Sequence, residues 1–240
     1  MFTVRIAELN ILIENKYSFV KDQCTDYMIS DTYYDFSVSV TDEEIIDEAA
    51  RYDIEHSSEF IESICLYRKI AERLPEYNAF IMHCAAVEKD GNAYCFAAKS
   101  GVGKTTHAML WLKAFGNSAS IINGDKPIFR IIDGSVFVYG TPWGGKENFH
   151  SNKKAVLKGL CFLKRSDFNS ISTISAYDAL KRSLEQLFFK NNSTNELTFE
   201  LLSTVIKTTR VWELSCNIST EAAQIAYHAM SEEDNNESNV

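Results

Sequence analysis

The chain has 240 residues, of which 45% are hydrophobic and 24% charged, values that suit a soluble globular protein with a sizeable core. Its formal net charge of −9 argues against the broad basic face that nucleic-acid binding needs. No apolar run reaches the roughly 18 residues of a membrane span, and the N-terminal segment lacks the basic region and cleavage site of a signal peptide. Together with six scattered cysteines, these features predict a cytoplasmic protein with reduced thiols and no membrane partner.

Residues 1–78 have the pattern of a small α+β lobe. Strand-like runs are found at Phe2–Leu9, Ile11–Glu14 and Tyr33–Val40. A Thr-x-x-Glu pattern, typical of a helix N-terminus, begins the segment Thr41–Glu48, which is either a short helix or the end of a strand. Apolar residues at helical spacing, followed by Pro75, predict a helix over Ser57–Leu74.

From residue 79 to residue 230 the pattern is that of an α/β core. The turn Asp90-Gly91 joins the apolar runs Ala79–Glu88 and Ala93–Ala97, and it predicts a β-hairpin. The further predicted strands are Ser118–Asn123, Pro127–Ile132, Val136–Gly140 and Lys158–Leu163. The predicted helices are His107–Phe115, Ala176–Phe189, Leu197–Lys207 and Thr220–Met230. Residues 231–240 are acidic and polar, which predicts a disordered tail.

The segment Ala98–Thr105 is a Walker A sequence with alanine at its first position, where glycine is usual. The glycines at 101 and 103 allow backbone N–H groups to wrap a phosphate closely. Lys104 supplies a positive charge to the β- and γ-phosphates, and the Thr105 hydroxyl is suited to coordinate Mg²⁺. We therefore predict that ATP and Mg²⁺ bind here. The predicted nucleotide-binding residues are Lys99, Ser100, Gly101, Val102, Gly103, Lys104, Thr105 and Thr106.

An acidic residue follows the first predicted strand after the Walker A sequence. Asp125 comes directly after Ser118–Asn123 and Gly124. Because the ends of parallel strands meet at one edge of a sheet, we expect Asp125 to lie beside the phosphate-binding loop. There it would bind Mg²⁺ or accept the proton of an acceptor hydroxyl. The alternative is a turn residue without a catalytic part.

The segment Tyr139–Asn148 combines a Gly-Gly pair with Trp143 and a Lys-Glu pair. Such a combination is typical of functional loops rather than of ordinary connections. It suggests that Lys146 contacts phosphate during catalysis and that Glu147 binds the metal or the substrate. The alternative is a solvated pair of charges, with Trp143 as a packing anchor.

Three other polar residues lie close to predicted strands. His83 falls within a strand pattern and is expected to be a core residue, with a place near the phosphates as the alternative. Lys164 and Arg165 follow a strand and are expected in a solvated loop.

On these residues, the stretch Ile81–Leu163 resembles the HPr kinase/phosphorylase-like P-loop kinases, which include the lasso-peptide serine kinases. The hairpin before the loop, the Ser-Gly-Val-Gly-Lys-Thr sequence and the strand before Asp125 carry the resemblance. It implies an α/β fold, with a P-loop kinase core of the HPr kinase/phosphoenolpyruvate carboxykinase type and a small N-terminal α+β lobe. It also implies transfer of the γ-phosphate of ATP to a hydroxyl, often the serine of a peptide or protein, by a homo-oligomer.

The family has an Asp-Asp pair after this strand, and one Asp of the pair is the general base. Here the sequence is Gly124-Asp125-Lys126, with one Asp, and the resemblance places the catalytic role on Asp125. The resulting hypothesis is a kinase with Lys104, Asp125 and Lys146 in catalysis and Thr105, Asp125 and Glu147 at the metal. The alternatives are a small-molecule kinase, a plain NTPase, and a regulatory or scaffold module that binds nucleotide without transfer.

Overall fold

The structure, a computed structural model, describes residues 1–187 and 194–232, which form two β-sheets with helices packed against them. The strands are β1 Phe2–Ile6, β2 Leu9–Glu14, β3 Met28–Ile29, β4 Phe36–Ser39, β5 Ala79–Ile81, β6 Cys84–Lys89, β7 Asn92–Ala97, β8 Ala119–Asn123, β9 Ile128–Ile132, β10 Ser135–Tyr139, β11 Lys154–Arg165, β12 Ser170–Thr173 and β13 Val211–Cys216. The helices are α1 Phe19–Gln23, α2 Asp42–Ala49, α3 Ser58–Arg73, α4 Lys104–Phe115, α5 Ala176–Leu184, α6 Thr194–Thr208 and α7 Thr220–Ser231. Residues 188–189 of the predicted helix Ala176–Phe189 and most of the predicted tail lie outside the described ranges. Within those ranges, no helix has the length and apolar character needed to cross a membrane.

The N-terminal sheet has the strand order β3-β1-β2-β4 and begins with a β-hairpin, where the sequence predicts one strand over Phe2–Leu9. The chain turns at Ala7 and Glu8, which have φ values of 51° and 61°. Neither residue is a usual choice for two successive positive φ angles, so the sequence shows no turn signal. Contacts from the larger sheet hold the turn: Arg130 Nη1 donates to the Ala7 carbonyl at 2.6 Å, and Lys154 pairs with the Glu8 carboxylate.

Helices α2 and α3 of the N-terminal part begin at side-chain caps. Thr41 and Glu44 form a reciprocal capping box, with hydrogen bonds of 3.2 and 2.9 Å, so Thr41–Glu48 leads into helix α2 rather than ending a strand. Ser57 caps α3, and Pro75 follows the end of that helix, as the sequence predicts.

The larger sheet has the order β5-β9-β10-β11-β7-β6-β8, with β13 beside the C-terminal half of β11. It is mixed rather than parallel. Strands β7, β11 and β13 are parallel, whereas β6 is antiparallel to both β7 and β8. Two antiparallel pairings in succession restore the direction, so β8 runs the same way as β7. The C-terminal ends of β7, β8, β11 and β13 therefore share one edge, and the start of β6 lies at that edge too.

Three apolar clusters hold the described residues together. One lies between the large sheet and helices α5 and α6, and another, around Trp111, lies between the sheet and helices α4 and α7. The third joins the N-terminal sheet and α3 to Ile128, Tyr139 and Trp143. Because this third cluster includes side chains from both sides of residue 78, the domain division at that residue remains a prediction.

Candidate active site

The Walker A sequence lies between strand β7 and helix α4. Gly101 and Gly103 have φ values of +79° and +124°, a region that side chains rarely tolerate. Ala98 is buried and does not have a positive φ, so its methyl group replaces the usual glycine without backbone strain. The loop thus has glycine at both of the positions where its backbone requires it.

Lys104 is the first residue of α4, and its side chain is largely buried. The ammonium donates a hydrogen bond to the Ala98 carbonyl at 3.1 Å, which brings the charge across the base of the loop. Burial lowers the pKa of Lys104, and the nearby carboxylate of Asp125 partly offsets that effect. Because Asp125 compensates the buried Lys104 charge only in part, the ammonium is well placed to bind an anion such as a phosphate.

Lys164 and Arg165 are exposed, as the sequence predicts, but they belong to the end of β11 rather than to a loop, and Arg165 contacts the Walker A loop. Its Nε donates to the Val102 carbonyl at 3.2 Å, and its Nη2 donates to the Gly101 carbonyl. Two cavities of about 530 and 580 Å³ flank the loop, and Arg165 lines both. The sequence signal for this contact is a basic residue at the end of a strand adjacent to β7, which becomes visible only when the strand order is known.

The turn after β8 is fixed by the side chain of Asn123, which is fully buried. Its Oδ1 accepts hydrogen bonds from the backbone N–H groups of Asp125 and Lys126, at 2.8 and 2.6 Å. Its Nδ2 donates to the carbonyl and the hydroxyl of Thr141, at 2.9 and 3.1 Å. A buried amide with all these partners holds the Asp125 backbone in one orientation.

The Asp125 carboxylate is the centre of a small charged cluster. His83 Nε2 lies 2.8 Å from Oδ1, and Lys126 Nζ lies 2.8 Å from Oδ2. Burial raises the pKa of Asp125, but hydrogen bonds from His83 and Lys126 outweigh it and lower the pKa to about 2. His83 lies in a break between β5 and β6, so it is a site residue rather than the core residue that the sequence suggests.

The sheet edge brings the predicted residues Lys104 and Asp125 close enough for the carboxylate charge to counteract the lowering of the lysine pKa by burial. The loop follows β7, Asp125 follows β8, and His83 precedes β6, the strand that lies between the two. Lys126, which pairs with Asp125, is a further cation at this edge and is not among the predicted site residues.

The loop that contains the Gly144-Gly145 pair, here named the Gly-Gly loop, packs directly against Asp125. A Cβ atom on Gly145, which has a φ of +80°, would lie 3.0 Å from the Asp125 Cβ. A Cβ atom on Gly144 would lie 2.7 Å from the backbone of Phe149. The Phe149 carbonyl in turn accepts from the N–H of Gly124 at 2.7 Å. Both glycines are therefore needed for the loop to approach the acidic turn this closely.

The remaining predicted ligands are more dispersed. Lys146 and Asp125 line the same cavity. Glu147 is exposed in the neighbouring turn and does not line that cavity. Thr105 is half-buried in the first turn of α4. Across the described part of the chain, no group of three His, Cys, Asp or Glu side chains is arranged to hold a metal. Mg²⁺ bound mainly through phosphate oxygens and water needs only one or two protein oxygens.

A chain of hydrogen bonds ties the Gly-Gly loop to the N-terminal helices. The Trp143 indole N–H donates to the Ser63 hydroxyl at 3.0 Å, and that hydroxyl donates to Gln23 Oε1 at 2.5 Å. Gln23 Nε2 donates back to the Pro142 carbonyl at 3.3 Å. Trp143 and Ser63 are both buried, so little solvent reaches this chain of hydrogen bonds.

We expect Ser63→Ala to destabilise the protein by about 1–3 kcal/mol, because it leaves the buried Trp143 N–H without an acceptor. Urea unfolding followed by far-UV circular dichroism measures the change. Ser58→Ala, on the exposed first turn of the same helix, is the matched control. Equal stability of the two variants would contradict a structural role for this chain of hydrogen bonds.

We also expect a pH-dependent loss of stability in Asp125→Asn. The folded-state pKa of Asp125 is about 2, below the usual 3.8, so its ionised form adds stability above the usual value and loses it as the pH falls through about 2. The wild-type advantage over the variant should be about 2 kcal/mol at about pH 6 and about 1 kcal/mol at about pH 3. Urea unfolding at both pH values tests this, and a constant difference would contradict it.

Fold and site together define a mixed α/β protein in which a Walker A loop with a buried lysine lies beside a paired acidic residue. No family model matches the chain, and no curated protein matches its sequence. Among solved structures, the HPr(Ser) kinase/phosphatase from Coxiella burnetii is similar over 63% of this chain and 94% of that chain, with a TM-score of 0.37 and 7% identity. This is a weak likeness at the level of the fold.

Proposed function

We propose that this protein is a Mg²⁺-dependent kinase that transfers the γ-phosphoryl group of ATP to a hydroxyl, most often the serine of a peptide or small protein. One observation carries the proposal: the Walker A loop with its buried Lys104 follows β7, and the Asp125 turn follows β8 at the same edge of the sheet, close enough for the carboxylate charge to act on the ammonium. The lysine is suited to the phosphates of the donor, and the carboxylate is suited to the hydroxyl of the acceptor.

The donor side of the site is the loop itself. The backbone N–H of Val102 donates to the Lys99 carbonyl at 3.2 Å, and the other N–H groups between Lys99 and Thr105 would face a phosphate, while Arg165 holds two of the loop's carbonyls. The adjoining cavities, of about 530 and 580 Å³, are within the usual range for small-molecule sites. Lys104 would exchange its contact with the Ala98 carbonyl for contacts with the β- and γ-phosphates.

The residues present also suit a magnesium ion. The Thr105 hydroxyl would supply a hard oxygen ligand of the kind that Mg²⁺ prefers, with Asp125 and Glu147 as further candidates from the sequence. Bound there with ATP, the ion would neutralise charge on the phosphate oxygens. Lys126, now paired with Asp125 Oδ2, would move toward the incoming phosphates and free that oxygen.

Asp125 is suited to orient the acceptor rather than to act as a strong base. With a pKa of about 2, the carboxylate is ionised at neutral pH and is a weak proton acceptor. Phosphoryl transfer through a loose transition state asks mainly for positioning and for charge stabilisation. His83 holds one carboxylate oxygen at 2.8 Å, so the other oxygen can face the hydroxyl.

A second candidate function is nucleotide binding without transfer. It is favoured by the single acid in the turn and by the present pairing of both its oxygens, with His83 and with Lys126. In that case the protein would bind ATP with Mg²⁺ and leave every hydroxyl unmodified.

The test is incubation of the protein with Mg²⁺ and γ-labelled ATP, with and without serine-containing peptides. We expect label on serine, and we expect it to be lost in Lys104→Ala. ATP binding without labelling of any hydroxyl would support the second candidate. Release of labelled phosphate with no acceptor, at the same rate with and without peptide, would instead indicate a plain NTPase.

A further inference from the structure

A cavity of about 270 Å³ lies between the N-terminal part of the chain and the Gly-Gly loop. It is separate from the two cavities beside the Walker A loop. Its walls are mainly apolar and come from Phe60, Ile64 and Tyr67 of α3 and from Trp143. The charged residues Asp125, Lys126 and Lys146 line one side of it, so an apolar space opens directly beside the carboxylate proposed to orient the acceptor.

The aromatic wall of this cavity is uncharged and held in place by its neighbours. Burial raises the pKa of Tyr67, so its hydroxyl stays neutral. The Trp143 ring packs against the Tyr67 ring with centroids 5.5 Å apart, and its indole N–H is bonded to Ser63. A preformed apolar space of this kind favours an apolar guest, because filling it removes hydrocarbon surface from water.

The size of the cavity limits that guest to one compact group. An apolar cavity of about 150 Å³ is enough to bind benzene. The space beside Asp125 is larger, and it would hold one aromatic ring or branched aliphatic group together with the few atoms that join it to a hydroxyl.

We infer that this cavity selects the acceptor by binding a compact apolar group next to the hydroxyl that Asp125 orients. The inference rests on the proposed function. The acceptor is then a hydroxyl compound with an aromatic or branched aliphatic group a few bonds away. A peptide serine with such a neighbouring side chain has this chemistry, and so does a small alcohol carrying a phenyl group.

Binding and transfer should be measured in parallel. The probes are hexapeptides with one serine beside Phe, Leu, Ala or Asp, and 2-phenylethanol. Binding is measured by calorimetry with Mg²⁺ and an ATP analogue that cannot transfer its γ-phosphate, and transfer is measured with γ-labelled ATP. We expect the Phe peptide to bind and react roughly tenfold to a hundredfold better than the Ala peptide.

Matched variants test whether the preference for the Phe peptide arises in the cavity. Ile64→Trp fills the space from α3, whereas Ile46→Trp makes the same change on the exposed side of α2. We expect Ile64→Trp to bring the Phe/Ala ratio close to one without changing ATP affinity, and Ile46→Trp to leave the ratio unchanged. Ile64→Ala enlarges the space and should shift the preference toward a Trp-containing peptide, which provides a test if the filled variant does not fold.

The outcomes separate this inference from the proposed function. Equal binding of the Phe, Ala and Asp peptides, or a Phe preference that survives in folded Ile64→Trp, would overturn the cavity as the selecting site even if transfer occurs. A Phe preference in binding that disappears in Ile64→Trp, with no transfer to any probe, would keep the cavity and overturn the kinase. Binding and phosphorylation of 2-phenylethanol as efficient as those of the Phe peptide would identify small alcohols as the source of the acceptor. Modification of the peptide alone would identify peptides.

Discussion

In Lys104→Ala, we expect phosphotransfer to fall by about a thousandfold or more. The ammonium is the buried cation at the base of the Walker A loop, and it would meet the phosphates on which charge develops during transfer. Alanine removes that charge, and the depth of the site leaves little room for solvent to replace it. Initial rates of label transfer from γ-labelled ATP to a serine peptide measure the loss.

Folding should survive this change. The pKa of Lys104 is lowered by burial, which shows that its charge is held at a cost in desolvation free energy. Removing it costs the hydrogen bond to the Ala98 carbonyl but relieves that burial, so we expect the melting temperature to change little. Lys113→Ala, on the exposed last turn of the same helix, is the matched control and should keep full activity. Transfer in Lys104→Ala at the wild-type rate would refute the donor site.

In Asp125→Asn, we expect kcat for transfer to fall by about 10²–10⁴-fold while ATP affinity changes by no more than about threefold. The amide keeps the shape of the side chain but presents a weaker acceptor to the substrate hydroxyl. It also loses the charge that pairs with His83 and Lys126. A loss in kcat without a matching loss in ATP binding is the signature of a group that acts on the acceptor.

Asp133→Asn is the control for this variant. Asp133 is exposed at a positive φ of 49° in the turn between β9 and β10, a conformation that asparagine also tolerates. Full transfer activity in Asp125→Asn would show that Asp125 does not orient the acceptor. Loss of ATP binding in the same variant would place the carboxylate at the metal instead.

The sequence alone predicts those elements whose signals lie within a few residues of one another. The Asp-Gly hairpin, the capping box of α2 and the helix before Pro75 all form as their local patterns indicate. The Walker A sequence is equally local, because its glycines, lysine and threonine act within one turn of backbone. For the same reason the positive φ angles of Gly101 and Gly103 follow from the residue types.

The local sequence pattern does not predict strands β12 and β13. Strand β13 pairs with β12 and with β11, which is remote in sequence. The turn at Ala7 and Glu8 is similar. No turn residue is present there, and side chains of β9 and β11 hold it. Local propensity is a weak preference that such tertiary contacts override.

The candidate site shows the same division. The residue types of Lys104 and Asp125 are enough to suggest donor and acceptor roles, but their proximity depends on the strand order β7-β6-β8. His83 pairs with Asp125 because the chain breaks between β5 and β6 at the shared edge. The Trp143 contact with Ser63 spans 80 residues, and both side chains line the apolar cavity beside Asp125. Sequence determines which chemical groups are present, whereas the tertiary structure determines which of them meet, because distances between remote residues are set by sheet order and packing.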